Sequence, residues 1–124
     1  MTHPPINEKV FDMTDQEMYD KVARHLLAQG EKSIGCAAPG GNVCCMYRGR
    51  GGRSCAIGCL IPDEAYSEDL ELAAVTNKEV QLAAGISEDQ VCLASDLQYV
   101  HDNVEPRNWP FKLALVAKRF GLRG

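Results

Sequence analysis

The stretch that decides the fold prediction is residues 43–57, which read VCCMYRGRGGRSCAI. Residues 43–48 and 53–57 are short, β-compatible runs, and glycines at 49, 51 and 52 lie between them. Because glycine accepts positive φ at no steric cost, these glycines can reverse the chain tightly. The stretch therefore predicts a small β-hairpin over about residues 43–57.

Helical patterns lie on both sides of this stretch. Upstream, Thr14-Asp15-Gln16-Glu17 has the form of a capping box, and apolar residues follow at helical spacing as far as Gly30, which predicts a helix over Thr14–Gln29. Downstream, N-cap residues and glycine or proline stops predict four more helices. They begin at Ser67, Asn77, Ser87 and Asn108, and the last three end near Gly85, Pro106 and Gly121.

The size of the chain fits one domain. It has 124 residues, of which 45% are hydrophobic, enough to bury a core. We expect a single α+β domain over residues 1–124, mostly helical with the small hairpin, and an N-terminal arm over residues 1–12. No apolar run approaches a membrane span and the first residues lack the pattern of a signal peptide, so we expect a cytoplasmic protein with no membrane partner.

Charge is distributed unevenly. The formal net charge is −4, which argues against a protein that coats an extended nucleic acid. Residues 35–61 contain no Asp or Glu but hold Arg48, Arg50 and Arg53. This segment therefore carries +3 within an acidic chain, which favours recognition of a small anion at this one place.

The candidate binding site is the turn from Tyr47 to Arg53. Glycine lets backbone N–H groups approach an anion, arginine matches phosphate or carboxylate oxygens, and tyrosine offers a flat face to a base. Neither a Walker motif nor a dinucleotide fingerprint is present. The alternative interpretation is a solvated tip whose arginines pair with the acidic body. The predicted ligand-binding residues are Tyr47, Arg48, Arg50, Arg53, Asp63, Tyr66 and His101.

The cysteines raise the alternative of a zinc site. Cys55 and Cys59 are spaced i, i+4, Cys44 or Cys45 could add a third ligand, and Cys36 or a histidine a fourth. The simpler interpretation is that these cysteines are buried apolar residues. With no secretion signal, we do not expect disulfides.

Other polar residues favour structural roles. His101 lies at the edge of the apolar face of the long helix, and the acids between Asp63 and Glu71 lie near helix starts, where they suit the helix dipole. No catalytic triad can be assembled from the sequence, so we assign no catalytic residue.

The central motif resembles that of small proteins of unassigned function from bacteriophage and prophage genomes. Their pattern, C-x-Y-R-G followed by C-A-x-G-x-L-I-P-D-E-x-Y, corresponds to Cys45–Gly49 and Cys55–Tyr66 here. Gln29–Ser33 and Leu97–Asp102 match flanking patterns of the same group. The resemblance implies a phage origin and a bacterial host cytoplasm, and it carries no established activity.

Three functions are compatible with these observations. The first is a homo-oligomeric binding protein that sequesters a phosphorylated or nucleotide signal and so counters host defence without catalysis. The second is a protein-interaction module that inhibits a host protein, with or without a structural zinc ion. The third is an enzyme that cleaves a phosphodiester with His101 and Asp63 as its acid–base pair.

Overall fold

The computed structural model describes residues 13–35 and 44–124 as a small, mostly helical domain. Its helices are α1 (Asp15–Gln29), α2 (Lys78–Ala84), α3 (Val91–Asn103) and α4 (Trp109–Arg119). Two-residue strands β1 (Ile34–Gly35) and β2 (Cys44–Cys45) follow α1. The chain between β2 and α2 is built from short 3₁₀ turns at Arg50–Gly52, Gly58–Leu60, Asp63–Ala65 and Glu68–Leu72. The predicted arm over residues 1–12 lies outside the described residues.

Helix α1 begins and ends as the sequence predicts. The Thr14 hydroxyl accepts from the Glu17 backbone N–H at 3.1 Å, and the Glu17 carboxylate accepts from the Thr14 N–H at 2.8 Å. Gly30 ends the helix with φ of 70°, a left-handed conformation that suits glycine. One face of the helix is buried: Met18, Tyr19, Val22 and Leu26.

The predicted cap at Asn77 is confirmed, whereas the helix predicted from Ser67 is a 3₁₀ turn and the Asn108 side chain makes no capping hydrogen bond. The Asn77 side chain accepts from the N–H groups of Glu79 and Val80 at the start of α2, and Gly85 ends that helix with φ of 75°. A short 3₁₀ turn, Glu88–Gln90, leads into α3, and another, Pro106–Asn108, leads into α4. Local capping signals therefore set the boundaries of the helical body.

The predicted hairpin over residues 43–57 is wrong. Strand β2 pairs antiparallel with the upstream strand β1, with Ile34 opposite Cys45. In the described part of residues 43–57, the two arms share one isolated bridge, between Arg48 and Ser54. One reason is that the Glu71 and Gln98 side chains accept from the Tyr47 and Ile57 N–H groups, which hydrogen bonds between the two arms would use.

The core lies where α1, α3 and α4 pack on one another and on the turn at Gly58–Leu60. Its largest fully buried side chains include Trp109, whose indole N–H donates to the Val104 carbonyl at 2.9 Å. Full burial of an aliphatic or aromatic side chain stabilises a fold by about 1.5–3 kcal/mol. The loop over residues 47–54 packs against this core through its first residue, Tyr47.

Within the described residues, none of the helices combines the length and the apolar character that crossing a membrane requires.

Candidate functional site

The loop from Tyr47 to Ser54 forms one wall of the candidate site. Gly51 and Gly52 turn the chain with successive φ values of 68° and 74°, a pair that other residues rarely adopt. The Gly49 N–H donates to the Arg53 carbonyl at 2.9 Å and closes the loop. A Cβ at Gly58 would overlap the Tyr47 carbonyl, so this glycine allows the two segments to touch.

The Glu71 carboxylate holds the start of the loop. Its oxygens accept from the backbone N–H groups of Tyr47 at 2.8 Å and Arg48 at 3.0 Å, and from the Tyr66 hydroxyl at 2.6 Å. Burial and this hydrogen bond raise the pKa of Tyr66, so the phenol stays protonated and donates. The Glu71 carboxylate therefore joins the start of the loop, at Tyr47 and Arg48, to Tyr66.

Arg48 is held in a fixed orientation by several neighbours. Its guanidinium donates to Asp63 Oδ1 at 2.8 Å and to the Ile61 carbonyl at 2.7 Å, and it lies 4.8 Å from the centre of the Tyr66 ring. Its Nε atom is buried and makes no hydrogen bond within the described structure. These contacts therefore fix the orientation of the Arg48 guanidinium.

Arg48 and Arg53 line a common cleft of about 510 Å³. Arg53 forms an ion pair with Glu31 at 3.0 Å. Glycines form much of the rest of the cleft wall, together with a few small or apolar side chains and the Asp63 carboxylate: Gly49, Gly52, Ser54, Gly58, Cys59, Ile61 and Asp63. Two cations line the cleft beside one carboxylate, and guanidinium groups of this kind bind anions.

The partners of the two arginines are exposed carboxylates. The Asp63 side chain is 93% exposed and that of Glu31 is 64% exposed. Exposed ion pairs of this kind contribute only about 0–1 kcal/mol. The alternative expected from the sequence, arginines that pair with acidic residues, is therefore what the structure shows for Arg48 and Arg53, and these exposed pairs are weak.

The other predicted ligand-binding residues are not among those lining this cleft. Tyr47 is buried and its hydroxyl donates to the Ala73 carbonyl at 2.7 Å, so its ring offers no face to a base. Burial raises the pKa of this phenol. The Tyr66 ring contacts the Arg48 guanidinium, and the Arg50 side chain is exposed on the loop.

His101 is a core residue. It is fully buried and stacks on Trp109, with ring centres 5.7 Å apart. Its Nε2 atom lies 2.8 Å from the Ser33 backbone nitrogen and its Nδ1 atom lies 2.7 Å from Asp102 Oδ1. Because a backbone N–H can only donate, Nε2 accepts, and the ring proton is on Nδ1 and is donated to Asp102.

Among the described residues, Cys55 and Cys59 do not join Cys45 in a group that could hold the zinc ion considered as an alternative. The Cys55 thiol donates to Gln98 and the Cys59 thiol donates to the Ala56 carbonyl, at 3.2 and 3.1 Å. Burial raises the pKa of both thiols, that of Cys59 to about 11, so both hold their protons. Cys36 lies outside the described residues.

A different group of metal-ligand types does meet in the described residues. Donor atoms of Cys45, His101 and Asp102 lie within 4.8 Å of one another. The imidazole nitrogen nearest Asp102 is Nδ1, and it carries the ring proton because Nε2 accepts from the Ser33 backbone N–H. A protonated nitrogen cannot ligate a cation, so this arrangement holds a proton between imidazole and carboxylate.

No known protein family, curated protein or solved structure matches this chain.

The residues that sequence reasoning missed are the acceptors contributed by distant segments. Glu71 was interpreted as a helix-start acid, and Glu31 and Gln98 were given no role. Glu31 and Gln98 do lie within the two flanking patterns of the phage resemblance, which is the one sequence signal that includes them.

Proposed function

We propose that this chain binds a phosphorylated small molecule, of the class of nucleotide signals, in the cleft between Arg48 and Arg53, and sequesters it without cleaving it. The observation that supports this most strongly is that two arginines and three glycines line one cleft of about 510 Å³. Small-molecule sites in proteins have volumes of about 300–1,000 Å³.

The ion pairs of the unliganded cleft favour exchange with a phosphate. Arg48 keeps its bond to the Ile61 carbonyl and its contact with Tyr66 when Asp63 is displaced. A terminal phosphate or a pyrophosphate offers more charge and more acceptor oxygens than one exposed carboxylate, whereas a phosphodiester offers the same charge. Since the guanidinium is already oriented, binding costs little side-chain entropy.

The arrangement favours binding over catalysis. The predicted acid–base pair is divided between a fully buried His101, both of whose ring nitrogens are engaged, and a highly exposed Asp63. General acid–base work requires groups within reach of the same bond. The cleft supplies cations and backbone contacts, which hold a ligand without transforming it.

The biological setting follows from the resemblance of the central motif to phage proteins. We place the chain in the cytoplasm of a bacterial host during infection, where capture of a nucleotide defence signal would protect the phage. A homo-oligomer is the expected form of such a sequestering protein. These assignments belong to the proposal.

The proposal is tested by titration calorimetry of the full chain against cyclic dinucleotides, cyclic mononucleotides, ADP-ribose and inorganic phosphate. We expect at least one nucleotide to bind and to be recovered intact by chromatography. Arg53→Gln should weaken that binding at least about tenfold, because a charge-assisted hydrogen bond contributes about 1.5–3 kcal/mol.

Arg107→Gln is the matched control. Arg107 is exposed and pairs with a carboxylate, as Arg53 does, but it lies at the start of α4. Its substitution should leave nucleotide affinity unchanged. Failure of every nucleotide to bind at millimolar concentration, equal losses in both variants, or conversion of the bound nucleotide to products would each contradict the proposal.

A further inference from the structure

Ser33 links the helical core to the loop from Tyr47 to Ser54, the arginine loop. It is fully buried, it directly precedes β1, and each of its polar groups makes a hydrogen bond. Its carbonyl accepts from the Met46 N–H at 2.9 Å, and its hydroxyl donates to the Arg53 carbonyl at 3.3 Å. Ser33 therefore holds the arginine loop at both of its ends.

The contact between Ser33 and the arginine loop is close. A Cβ at Gly49 would overlap the Ser33 hydroxyl and the Ile34 backbone, so the two segments meet without a side chain between them. The Gly49 N–H and the Ser33 hydroxyl donate to the same Arg53 carbonyl. A displacement of Ser33 would therefore remove a donor from the point at which the loop closes.

The remaining polar group of Ser33, its backbone N–H, donates to His101 on α3. The distance to Nε2 is 2.8 Å, and this nitrogen accepts only while it carries no proton. A protonated ring has an N–H at both nitrogens, which would put two donors opposite each other. The buried Ser33 N–H would then lack an acceptor, an arrangement that costs free energy. Protonation of His101 is thus incompatible with this contact.

The other ring contact of His101 tolerates a proton. Nδ1 already donates to Asp102 Oδ1 at 2.7 Å, and the same contact becomes an ion pair when the ring is charged. A carboxylate at this distance stabilises a charged imidazole. The contact with Asp102 therefore persists in the protonated ring, and the bond to Ser33 is the one that breaks.

Other groups around the ring supply little charge. From β2, the Cys45 thiol lies within 4.8 Å of the ring donor atom, and from α4 the uncharged Trp109 indole stacks on the ring. The Lys32 ammonium group donates to the Asp102 carbonyl at 3.2 Å and opposes a charge on the ring. Two further acids interact electrostatically with Asp102 and are uncharged at neutral and acidic pH, because burial raises their pKa values: Tyr47 and Cys55.

We propose that His101 is a proton-dependent positioning residue for the arginine loop. In its neutral form it holds Ser33, and through Ser33 both ends of the loop. In its protonated form it keeps Asp102 and releases Ser33, so the loop loosens and Arg48 and Arg53 lose their common placement. Weaker anion binding at acidic pH follows from this and rests on the proposed function, whereas the release of Ser33 does not.

The test is nuclear magnetic resonance of the full chain between about pH 7.5 and about pH 5, the range over which histidine changes charge. The ¹⁵N shifts of the His101 ring should show a proton on Nδ1 alone at the upper pH and on both nitrogens at the lower one. Protection of the Ser33 and Met46 amides against hydrogen exchange, relative to an unstructured peptide at the same pH, should fall about tenfold with that change.

Three variants identify the group that titrates. His101→Gln offers Ser33 an uncharged amide oxygen at every pH, so the fall in protection should disappear. His25→Gln is the matched control, because His25 Nε2 donates to the Ser54 carbonyl at 2.8 Å in either charge state, and this variant should keep the fall. Asp102→Asn removes the anion beside the ring, so the fall should move to lower pH; this variant decides the question if His101→Gln does not fold.

The proposal is overturned by a ring that stays neutral at about pH 5, by protection that does not change with pH, or by an unchanged fall in Asp102→Asn. It is also overturned by a fall that persists in His101→Gln, which would identify a carboxylate such as Glu71 as the titrating group. Inorganic sulfate, whose charge is constant over this range, tests the cleft separately, and its affinity should fall together with the protection of Ser33. Sulfate that does not bind, while protection still falls, would contradict the proposed anion site and support the proton-dependent contact.

Discussion

Glu71 shows how much one side chain can determine at this site. Its carboxylate accepts from two successive backbone N–H groups and from a phenol, although it was expected only to favour a helix start. The orientation of Arg48 depends on this, because the carboxylate fixes the backbone from which the arginine extends. The cleft is therefore supported by a residue that does not line it.

Glu71→Gln should destabilise the fold by about 1–3 kcal/mol. An amide offers one acceptor oxygen and an NH₂ group that confronts a donor, which leaves partly buried donors unsatisfied. Urea unfolding measures the effect. Glu64→Gln, at an exposed acid of the same region, should change the stability by less than about 0.5 kcal/mol. Equal losses of stability in the two variants would contradict the proposed role of Glu71 as the acceptor that holds the loop.

At the scale of elements, local signals predicted the helices well and the hairpin poorly. Caps and stops depend on residues three or four positions apart, and Thr14, Asn77 and Gly85 act as their types indicate. The loop over residues 47–57 depends on partners 24 to 41 positions away in the chain. A window of neighbouring residues contains no information about such partners, so β-compatible composition was misleading there.

The cap of α2 provides a test at this scale. The helix has seven residues, too few to be stable without its cap and its packing. Asn77→Ala should cost about 1 kcal/mol and should accelerate hydrogen exchange at the first amides of α2, because two N–H groups lose their acceptor. Asn103→Ala, at the end of α3, is the comparison and should leave α2 exchange unchanged. Unaltered exchange in Asn77→Ala would contradict the capping role.

Across the whole molecule, the candidate site could be predicted in part. The acid-free segment, which charge composition reveals directly, contains both of the arginines that line one cleft. The placement of His101 and Tyr47 in the interior was not predictable, since His101 contacts residue 33 and Tyr47 contacts residue 73, both distant along the chain.

The thiols and phenols of the domain predict how its stability changes at alkaline pH. Burial raises the pKa of Cys59 from 9.0 to about 11, and it raises those of Cys55, Tyr47 and Tyr66 as well. The unfolded chain releases the Cys59 proton first, so the contribution of this thiol is complete below pH 9 and is lost as the pH rises towards 11.

Urea unfolding should therefore show falling stability above pH 9, by up to about 1.4 kcal/mol per pH unit for each of the two buried thiols, Cys55 and Cys59. Cys59→Ala should make the decline between pH 9 and 10.5 shallower than in the parent chain. Cys92→Ala, at an exposed cysteine, should leave the slope unchanged. Constant stability up to pH 10.5 would exclude this linkage.

The dependence of the loop on Glu71 and Gln98 has a consequence for synthesis on the ribosome. The backbone of Tyr47, Arg48 and Ile57 remains without its acceptors until those two residues have emerged from the exit tunnel. Helix α1 needs only its own residues for its cap and can form much earlier. The arginine cleft is thus completed late in translation, after most of the chain that surrounds it has been made.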